Sequence, residues 1–138
     1  MSDKKDCTEI GVAIIRRGDL VLVGKRPSSK LFGGKWEFPG GKLEPLESPE
    51  KCIIREIQEE LGVKVGNLKL LVVRDHEYPD GKKFRLHFYF CEISEEEPRA
   101  LWHDEILWIE PEKLDEVDIL TADTGLNPLI QAEMTQRG

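Results

Sequence analysis

The sequence predicts an α/β (α+β) fold class, in which a mixed β-sheet lies between helices as an α/β/α sandwich. Three observations lead to this prediction. Short segments of strand composition occur along the whole chain, a capped helix interrupts them near the middle, and a second helix closes the chain. A length of 138 residues suits a single domain over residues 1–138, which is long enough to bury its own core.

Six segments predict the strands of this sheet, because β-branched and aliphatic residues dominate them and turn residues separate them. They are residues 9–16, 20–25, 36–38, 68–77, 83–93 and 106–109. Residues 17–19 and 78–81 predict the turns of two hairpins, and Pro39-Gly40-Gly41 predicts a further turn. We expect residues 27–34 to form a polar loop and the acidic residues 94–98 to form a solvated one.

Two helices are predicted from the signals at their ends. Ser48 offers an oxygen that caps free amide groups, and the proline after it loses no hydrogen bond at the first helical position. Gly62 ends this helix. Asn127 is a plausible N-cap for a closing helix that runs to about residue 136. Residues 111–114 predict one helical turn between the last strand and that helix.

Composition and charge exclude several classes of protein. Hydrophobic residues make up 39% of the chain and charged residues 34%, as in ordinary globular proteins. A net charge of −7 argues against a protein that coats duplex nucleic acid. No run approaches the roughly 20 apolar residues that cross a bilayer, and the first nine residues lack a signal-peptide core, so we expect a cytoplasmic protein without a membrane partner. Three cysteines without a Cys-x-x-Cys pair predict neither a disulfide framework nor a zinc knuckle.

Three glutamates of the first helix, Glu56, Glu59 and Glu60, predict a metal site. Their i, i+3, i+4 spacing places them on one helix face. They crowd the C-terminal half of the helix, where the backbone dipole is already negative, and Arg55 relieves only Glu59 at i+4. A divalent cation such as Mg2+ or Mn2+ would relieve this repulsion and bind substrate phosphates. From these residues alone, a solvated acidic face is the alternative.

A longer pattern surrounds these glutamates and resembles the box of the Nudix hydrolase family. The matching positions are Gly41, Glu47, Arg55, Glu56, Ile57, Glu59, Glu60, Gly62 and Val63. The preceding residues KWEFPGG resemble the lead-in of the MutT-like branch. The resemblance covers nearly the whole chain. It implies a Nudix-type α/β/α sandwich with the loop–helix–loop of the box.

The resemblance also implies roles within the box. The implied ligands of Mg2+, for which Mn2+ could substitute, are the Gly41 carbonyl and the side chains of Glu56, Glu59 and Glu60. An ionised glutamate would activate the attacking water, and Glu59 is our choice. Clustered carboxylates titrate together, so the division between ligand and base stays open. The structural residues of the motif are expected to be Glu47 and Arg55, which hold the loop against the helix, and Gly62, which ends the helix.

One departure from the family concerns a catalytic glutamate in a late loop. Many MutT-like proteins carry it six residues before the tryptophan that corresponds to Trp108, but this chain has Trp102 there. Three explanations stay open. Either Glu105 or Asp104 replaces the missing acid, or the helix glutamates suffice without it, or the reaction is slow.

Candidate substrate-binding residues lie outside the helix of the box. They are Arg26, Glu37, Phe38, Tyr78 and Asp123. By resemblance, Arg26 meets phosphates, with Lys25 as the alternative, and Asp123 bonds the edge of the nucleobase. Glu37 would support the metal cluster, while Phe38 and Tyr78 would stack on the base. The alternatives are surface cations for Arg26 and Lys25, an exposed strand residue for Glu37, a cap or turn residue for Asp123, and core packing for the aromatic residues.

The expected function is Mg2+-dependent hydrolysis of a nucleoside triphosphate to a nucleoside monophosphate and pyrophosphate. The substrate would be an oxidised or non-standard (d)NTP such as 8-oxo-dGTP, or a cytidine nucleotide. The alternatives are an RNA 5′-pyrophosphohydrolase, a hydrolase of another nucleoside diphosphate derivative, or a non-catalytic nucleotide-binding Nudix domain. The expected partner is a small nucleotide, and the chain would be a monomer or a homodimer.

Overall fold

The computed structural model describes residues 7–93 and 95–137. Residues 1–6, Ser94 at the start of the predicted acidic loop, and Gly138 lie outside the described residues. The strands are β1 (Cys7–Arg17), β2 (Leu20–Lys25), β3 (Trp36–Glu37), β4 (Gly40–Lys42), β5 (Val65–Glu77), β6 (Lys83–Ile93) and β7 (Glu105–Ile109). The helices are α1 (Pro49–Leu61) and α2 (Asn127–Arg137), with 3-10 helices at Pro111–Glu116 and Thr121–Asp123.

One mixed sheet of seven strands organises the chain. Its order is β3-β2-β1-β6-β5, while β4 also pairs with β1 and β7 with β2. β1 and β6 are parallel, from Cys7 opposite Lys83 to Arg16 opposite Glu92. The other strand pairs are antiparallel. The predicted mixed sheet is therefore confirmed.

Each face of the sheet buries its own hydrophobic cluster. On one face, Ile53 and Ile57 of α1 pack with Leu22 and Tyr89. On the other face, Ile130 of α2 packs in the cluster that also contains residues of β2, β6 and the second 3-10 helix. This arrangement confirms the predicted sandwich of helix, sheet and helix. None of the described helices combines the length and the apolar character needed to cross a membrane.

Three local predictions were wrong, and each error has a physical cause. The predicted turn at Gly40 is part of strand β4, because β1 lies so close that a Cβ on Gly40 would collide with the Gly11 carbonyl oxygen. Strand β5 begins at Val65, three residues before the predicted start, because its first residues pair with the end of β6. Asn127 is the first residue of α2 and not its N-cap. Its Oδ1 accepts a hydrogen bond from the side chain of Gln131, at 2.7 Å from Nε2, instead of from a backbone amide.

Candidate functional site

The ends of α1 set the position of its acidic face. Ser48 Oγ accepts a hydrogen bond from the Lys51 N–H at 3.2 Å, as expected of an N-cap. At the other end, Gly62 adopts a left-handed conformation with φ of 72°, and its N–H donates to the Gln58 carbonyl at 3.0 Å. Local sequence signals alone therefore fix both the length of α1 and the place of its glutamates.

Arg55 ties this helix to the loop before it. Its Nε and Nη2 donate to the two carboxylate oxygens of Glu47 at 2.8 and 2.9 Å, and Nη2 also donates to the Lys42 carbonyl at 3.2 Å. The Arg55 guanidinium lowers the pKa of Glu47 to about 2. In return, the hydrogen bonds to Glu47 raise the pKa of Arg55 above its ordinary value. This fork holds the loop and helix in one geometry.

The three glutamates of α1 have different surroundings. Glu56 Oε1 accepts from Arg55 Nη1 at 2.6 Å, and its carboxylate lies so close to Gly41 that a Cβ there would collide with it. Glu60 is only 8% exposed, and within the described residues its Oε1 has no hydrogen-bond partner. The side chain of Glu59 is 59% exposed and lies 3.5 Å from Arg55. Two carboxylates are thus packed inside, and one faces solvent.

Burial dominates the electrostatics of Glu60. Desolvation raises its pKa to about 10, and the neighbouring carboxylates of Glu56 and Glu37 act in the same direction. The backbone of Gly40 has the opposite, smaller effect. A buried carboxylate among other carboxylates carries its charge only at a large cost unless a cation lies beside it.

The fit of a metal ion can be judged from these side chains. Across residues 7–93 and 95–137, no three His, Cys, Asp or Glu side chains converge on one point that would hold a metal ion. The reason is that Arg55 occupies Glu56 Oε1 while Glu59 is directed to solvent. Within the described residues, however, Glu60 Oε1 has no partner, and its neighbour Glu56 lies against Gly41. The complete ligand set stays a prediction.

Glu37 lies at the centre of a second cluster. Its Oε1 accepts from Arg26 Nη1 at 3.0 Å, and its Oε2 lies 3.0 Å from His103 Nε2. Arg26 also donates from Nε to the Leu31 carbonyl at 2.8 Å, and its guanidinium carbon lies 5.6 Å from the ring centre of Trp102. Sequence reasoning missed His103, because no spacing linked this histidine to the box.

Asp123 is buried rather than solvated. Its Oδ2 accepts the Phe38 N–H at 2.9 Å, and the residue is only 4% exposed. Burial raises the pKa of Asp123 to about 7. The ring of Phe38 is buried in the core, so the prediction that it stacks on a base is wrong. Phe38 contacts Asp123 through its backbone N–H, which donates the hydrogen bond to Oδ2.

Tyr78 belongs to an aromatic cluster. Its ring stacks on Phe32 with centroids 5.4 Å apart and an interplanar angle of 25°. It also meets His76 and Phe84 edge-on, at 4.5 and 5.3 Å. Burial raises the pKa of its hydroxyl group. A stacking role for Tyr78 towards a base stays a prediction.

The late loop does not bring Glu105 to α1. Glu105 pairs with Lys25 at the start of β7, and strand alternation puts it on the same side as Ile109, which packs in the cluster next to α2. Asp104 Oδ2 accepts the Ser28 N–H at 3.1 Å. The expectation that Glu105 replaces the late-loop acid is therefore corrected, because this residue lies on the sheet face away from the glutamates of α1.

Known proteins share this architecture. The family model described as the NUDIX domain matches residues 7–132. The chain is similar to the 8-oxo-dGTP diphosphatase of Proteus vulgaris, with 42% identity over 80 residues that cover 58% of this chain and 71% of that protein. It is also similar to the CTP pyrophosphohydrolase of Escherichia coli strain K12, with 32% identity over 129 residues, or 94% and 93% of the two chains. The crystal structure of a MutT NUDIX hydrolase from Burkholderia pseudomallei matches with a TM-score of 0.73 and 29% identity, covering 89% of this chain and 94% of that one.

Proposed function

Because this chain belongs to the NUDIX family and is a MutT-like Nudix hydrolase, we propose that it hydrolyses a nucleoside triphosphate in a Mg2+-dependent reaction. The products are a nucleoside monophosphate and pyrophosphate. The observation that carries this proposal is the buried Glu60 carboxylate, whose Oε1 lacks a partner within the described residues. Such an oxygen suits a cation ligand better than a structural role.

Glu56, Glu59, Glu60 and the Gly41 carbonyl hold the cation in this proposal, and Mn2+ can replace Mg2+. The bound cation supplies positive charge that neutralises the phosphate oxygens during hydrolysis. The Glu56 carboxylate lies against Gly41, and the Gly41 carbonyl accepts a hydrogen bond from Cys52 Sγ of α1 at 3.3 Å, so an oxygen donor of the loop lies beside the helix. Carboxylate and carbonyl oxygens are also the ligands that Mg2+ prefers.

Two side chains act on the reactants directly, and one of them, Glu59, is also a member of the ligand set. Glu59 is exposed and accepts a proton from the attacking water, since solvent reaches its carboxylate. Arg26 binds substrate phosphates. Its Nε and Nη1 are held by Leu31 and Glu37, while Nη2 makes no hydrogen bond within the described part of the chain. Nη2 therefore has donors left for an anion.

Asp123 selects the base in this proposal. The substrate is an oxidised or non-standard (d)NTP such as 8-oxo-dGTP, or a cytidine nucleotide, in line with the names of the two relatives. Both bases carry an exocyclic amino group, which can donate to a buried carboxylate. Since burial raises the pKa of Asp123 to about 7, the ionised form is present at neutral pH and can accept this hydrogen bond.

A substrate panel with Mg2+ tests the proposal. We expect 8-oxo-dGTP or CTP to yield monophosphate and pyrophosphate, and UTP and dITP, which lack the amino group, to react more slowly. Glu59→Gln and Glu60→Gln should lower kcat by at least about 100-fold. Glu50→Gln, on the first turn of the same helix, is the matched charge control and should retain activity. Turnover without metal, equal activity of the two variants and the parent, or stoichiometric binding without product would contradict the proposal.

A further inference from the structure

We propose that His103 is a positioning residue, which holds Glu37 and thereby orients Arg26 for the substrate phosphates. This inference rests on the proposed function, in which Arg26 binds phosphate. His103 follows Trp102 in the late loop, where the family's acid is missing. Among the described residues, the polar contact of the His103 side chain is with Glu37 and not with the glutamates of α1 or Asp123, so its effect has to pass through Glu37.

The two oxygens of Glu37 are shared between two side chains. Arg26 Nη1 donates to Oε1 at 3.0 Å, and His103 Nε2 lies 3.0 Å from Oε2. The side chain of His103 is completely buried, and that of Glu37 is 12% exposed. Because a carboxylate accepts hydrogen bonds, Nε2 is the nitrogen that carries the hydrogen. Each end of the carboxylate is therefore fixed by one donor.

The backbone around His103 is fixed on both sides. The Leu101 N–H donates to the Glu60 carbonyl at 3.0 Å, which ties the loop to the end of α1. The Asp104 N–H donates to the Lys25 carbonyl at 3.0 Å, which ties it to β2. These bonds hold His103 between the acidic helix and the strand that precedes Arg26.

Gly24 lets the imidazole reach Glu37. Gly24 and Glu37 face each other in the β2–β3 register. A Cβ on Gly24 would lie 2.5 Å from Cγ and Cδ2 of the His103 ring, a distance that real Cβ atoms do not adopt. The ring thus lies directly on the glycine. An alanine at position 24 would push the ring away from Glu37 without removing the imidazole.

The consequence concerns Arg26. With Nε on Leu31 and Nη1 on Glu37, the guanidinium plane is fixed before substrate arrives. If Glu37 is released, Arg26 has to be ordered at each binding event, and affinity for phosphates falls. The glutamates of α1 keep their own contacts, so kcat should change little. A split between KM and kcat is the expected sign of this positioning role.

Steady-state kinetics of four variants test this inference. We expect His103→Leu to raise KM about tenfold while kcat stays within about twofold. His103→Gln restores a donor near the Nε2 position and should recover most of the lost affinity. Gly24→Ala should reproduce the effect of His103→Leu. Gly66→Ala is the matched control, since no atom of the described residues lies within 4 Å of a Cβ on this strand glycine. Thermal unfolding shows that each variant is folded.

A double-mutant cycle isolates the path through Arg26. Calorimetry measures binding of Mg2+-pyrophosphate, so the readout does not need turnover. We expect His103→Leu to weaken binding about tenfold in the parent and to have no further effect in an Arg26→Leu background. An undiminished effect in that background, an unchanged KM, or a loss confined to kcat overturns the inference. A parent protein that binds pyrophosphate but hydrolyses no triphosphate contradicts the proposed function alone.

Discussion

Two glutamates of the box, Glu47 and Glu60, show how strongly position decides the behaviour of one residue type. Both carboxylate oxygens of Glu47 accept hydrogen bonds from Arg55, and the pKa of Glu47 falls to about 2. No cation among the described side chains pairs with Glu60, and burial raises its pKa to about 10. At neutral pH the carboxylate of Glu47 is therefore a fixed anion of the loop, whereas the carboxyl group of Glu60 keeps its proton until a cation binds and displaces it.

The pair of Glu47 and Arg55 makes stability depend on pH in the acid range. The folded-state pKa of Glu47, about 2, lies below its ordinary value of 4.5. The contribution of Glu47 to the free energy of unfolding is thus complete above pH 4.5 and is lost as pH falls towards 2. Urea unfolding of the parent and of Glu47→Gln, without divalent cation, should give a stability difference that shrinks over this range. A difference that stays constant or grows as pH falls would refute this assignment.

Leu46 is fully exposed and has a left-handed backbone with φ of 65°. This conformation costs a branched L-residue about 1 kcal/mol, and asparagine tolerates it better. We expect Leu46→Asn to raise the free energy of unfolding by up to about 1 kcal/mol in urea titrations. Leu31→Asn, at another exposed leucine of a loop without positive φ, is the control and should give no such gain.

At the scale of elements, the two ends of α1 account for its place in the fold. Gly62 ends the helix in a left-handed conformation. A much later segment contacts this helix end, since the Arg99 N–H donates to the Leu61 carbonyl at 2.9 Å. The Arg99 guanidinium lies against Gly62, so that a Cβ there would be 2.7 Å from Nη2. The end of α1 is therefore both a stop signal and a contact surface for the late loop.

Replacing Gly62 by alanine should lower the free energy of unfolding in two ways, through backbone strain and through displacement of Arg99. The left-handed backbone alone costs an alanine about 1 kcal/mol, and displacement of Arg99 adds to this. Gly18→Ala is the matched control, because Gly18 also has positive φ, at 60°, but nothing lies within 4 Å of its Cβ position. Chemical denaturation should show a larger loss in the free energy of unfolding for Gly62→Ala than for Gly18→Ala. Equal losses would mean that the Arg99 contact has no energetic role.

Local sequence signals were enough to predict α1 and the two hairpins. Strand β4 and the orientation of Glu105 were not predicted, because both depend on contacts between distant segments. The limits of α1 follow from Ser48 and Gly62, which act within a few residues. Strand β4 exists because β1 comes close to Gly40, and no local pattern reports that approach. Likewise, the start of β7 decides that Glu105 faces away from α1. A spacing counted from Trp108 cannot reveal the face on which a side chain lies.

At the scale of the whole molecule, the sheet separates two kinds of chemistry. The acidic face of α1 lies with one hydrophobic cluster, whereas Phe38 and the 3-10 helix that ends in Asp123 belong to the other. Glu37 lies between Trp36 and Phe38 in sequence and points to the opposite face. The proposed phosphate chemistry and the proposed base recognition are therefore supported by different packing.

Divalent cation should stabilise the whole fold if the glutamates bind it. At about 100 times its dissociation constant, a ligand that binds only the folded state adds about 2.7 kcal/mol. We expect Mg2+ or Mn2+ to raise the free energy of unfolding in the parent and in Glu50→Gln, and to have a much smaller effect in Glu60→Gln. An identical response of Glu60→Gln and the parent would rule out Glu60 as a ligand.

The parallel pairing of β1 with β6 also limits when the sheet can form during synthesis of the chain. A ribosome releases β1 early, but its neighbour from Lys83 to Ile93 is synthesised only after more than half of the chain. Until then the backbone N–H and C=O groups on this edge of β1 have no strand to pair with. The nascent protein therefore spends much of its synthesis with its central strand exposed to chaperones and to misassembly.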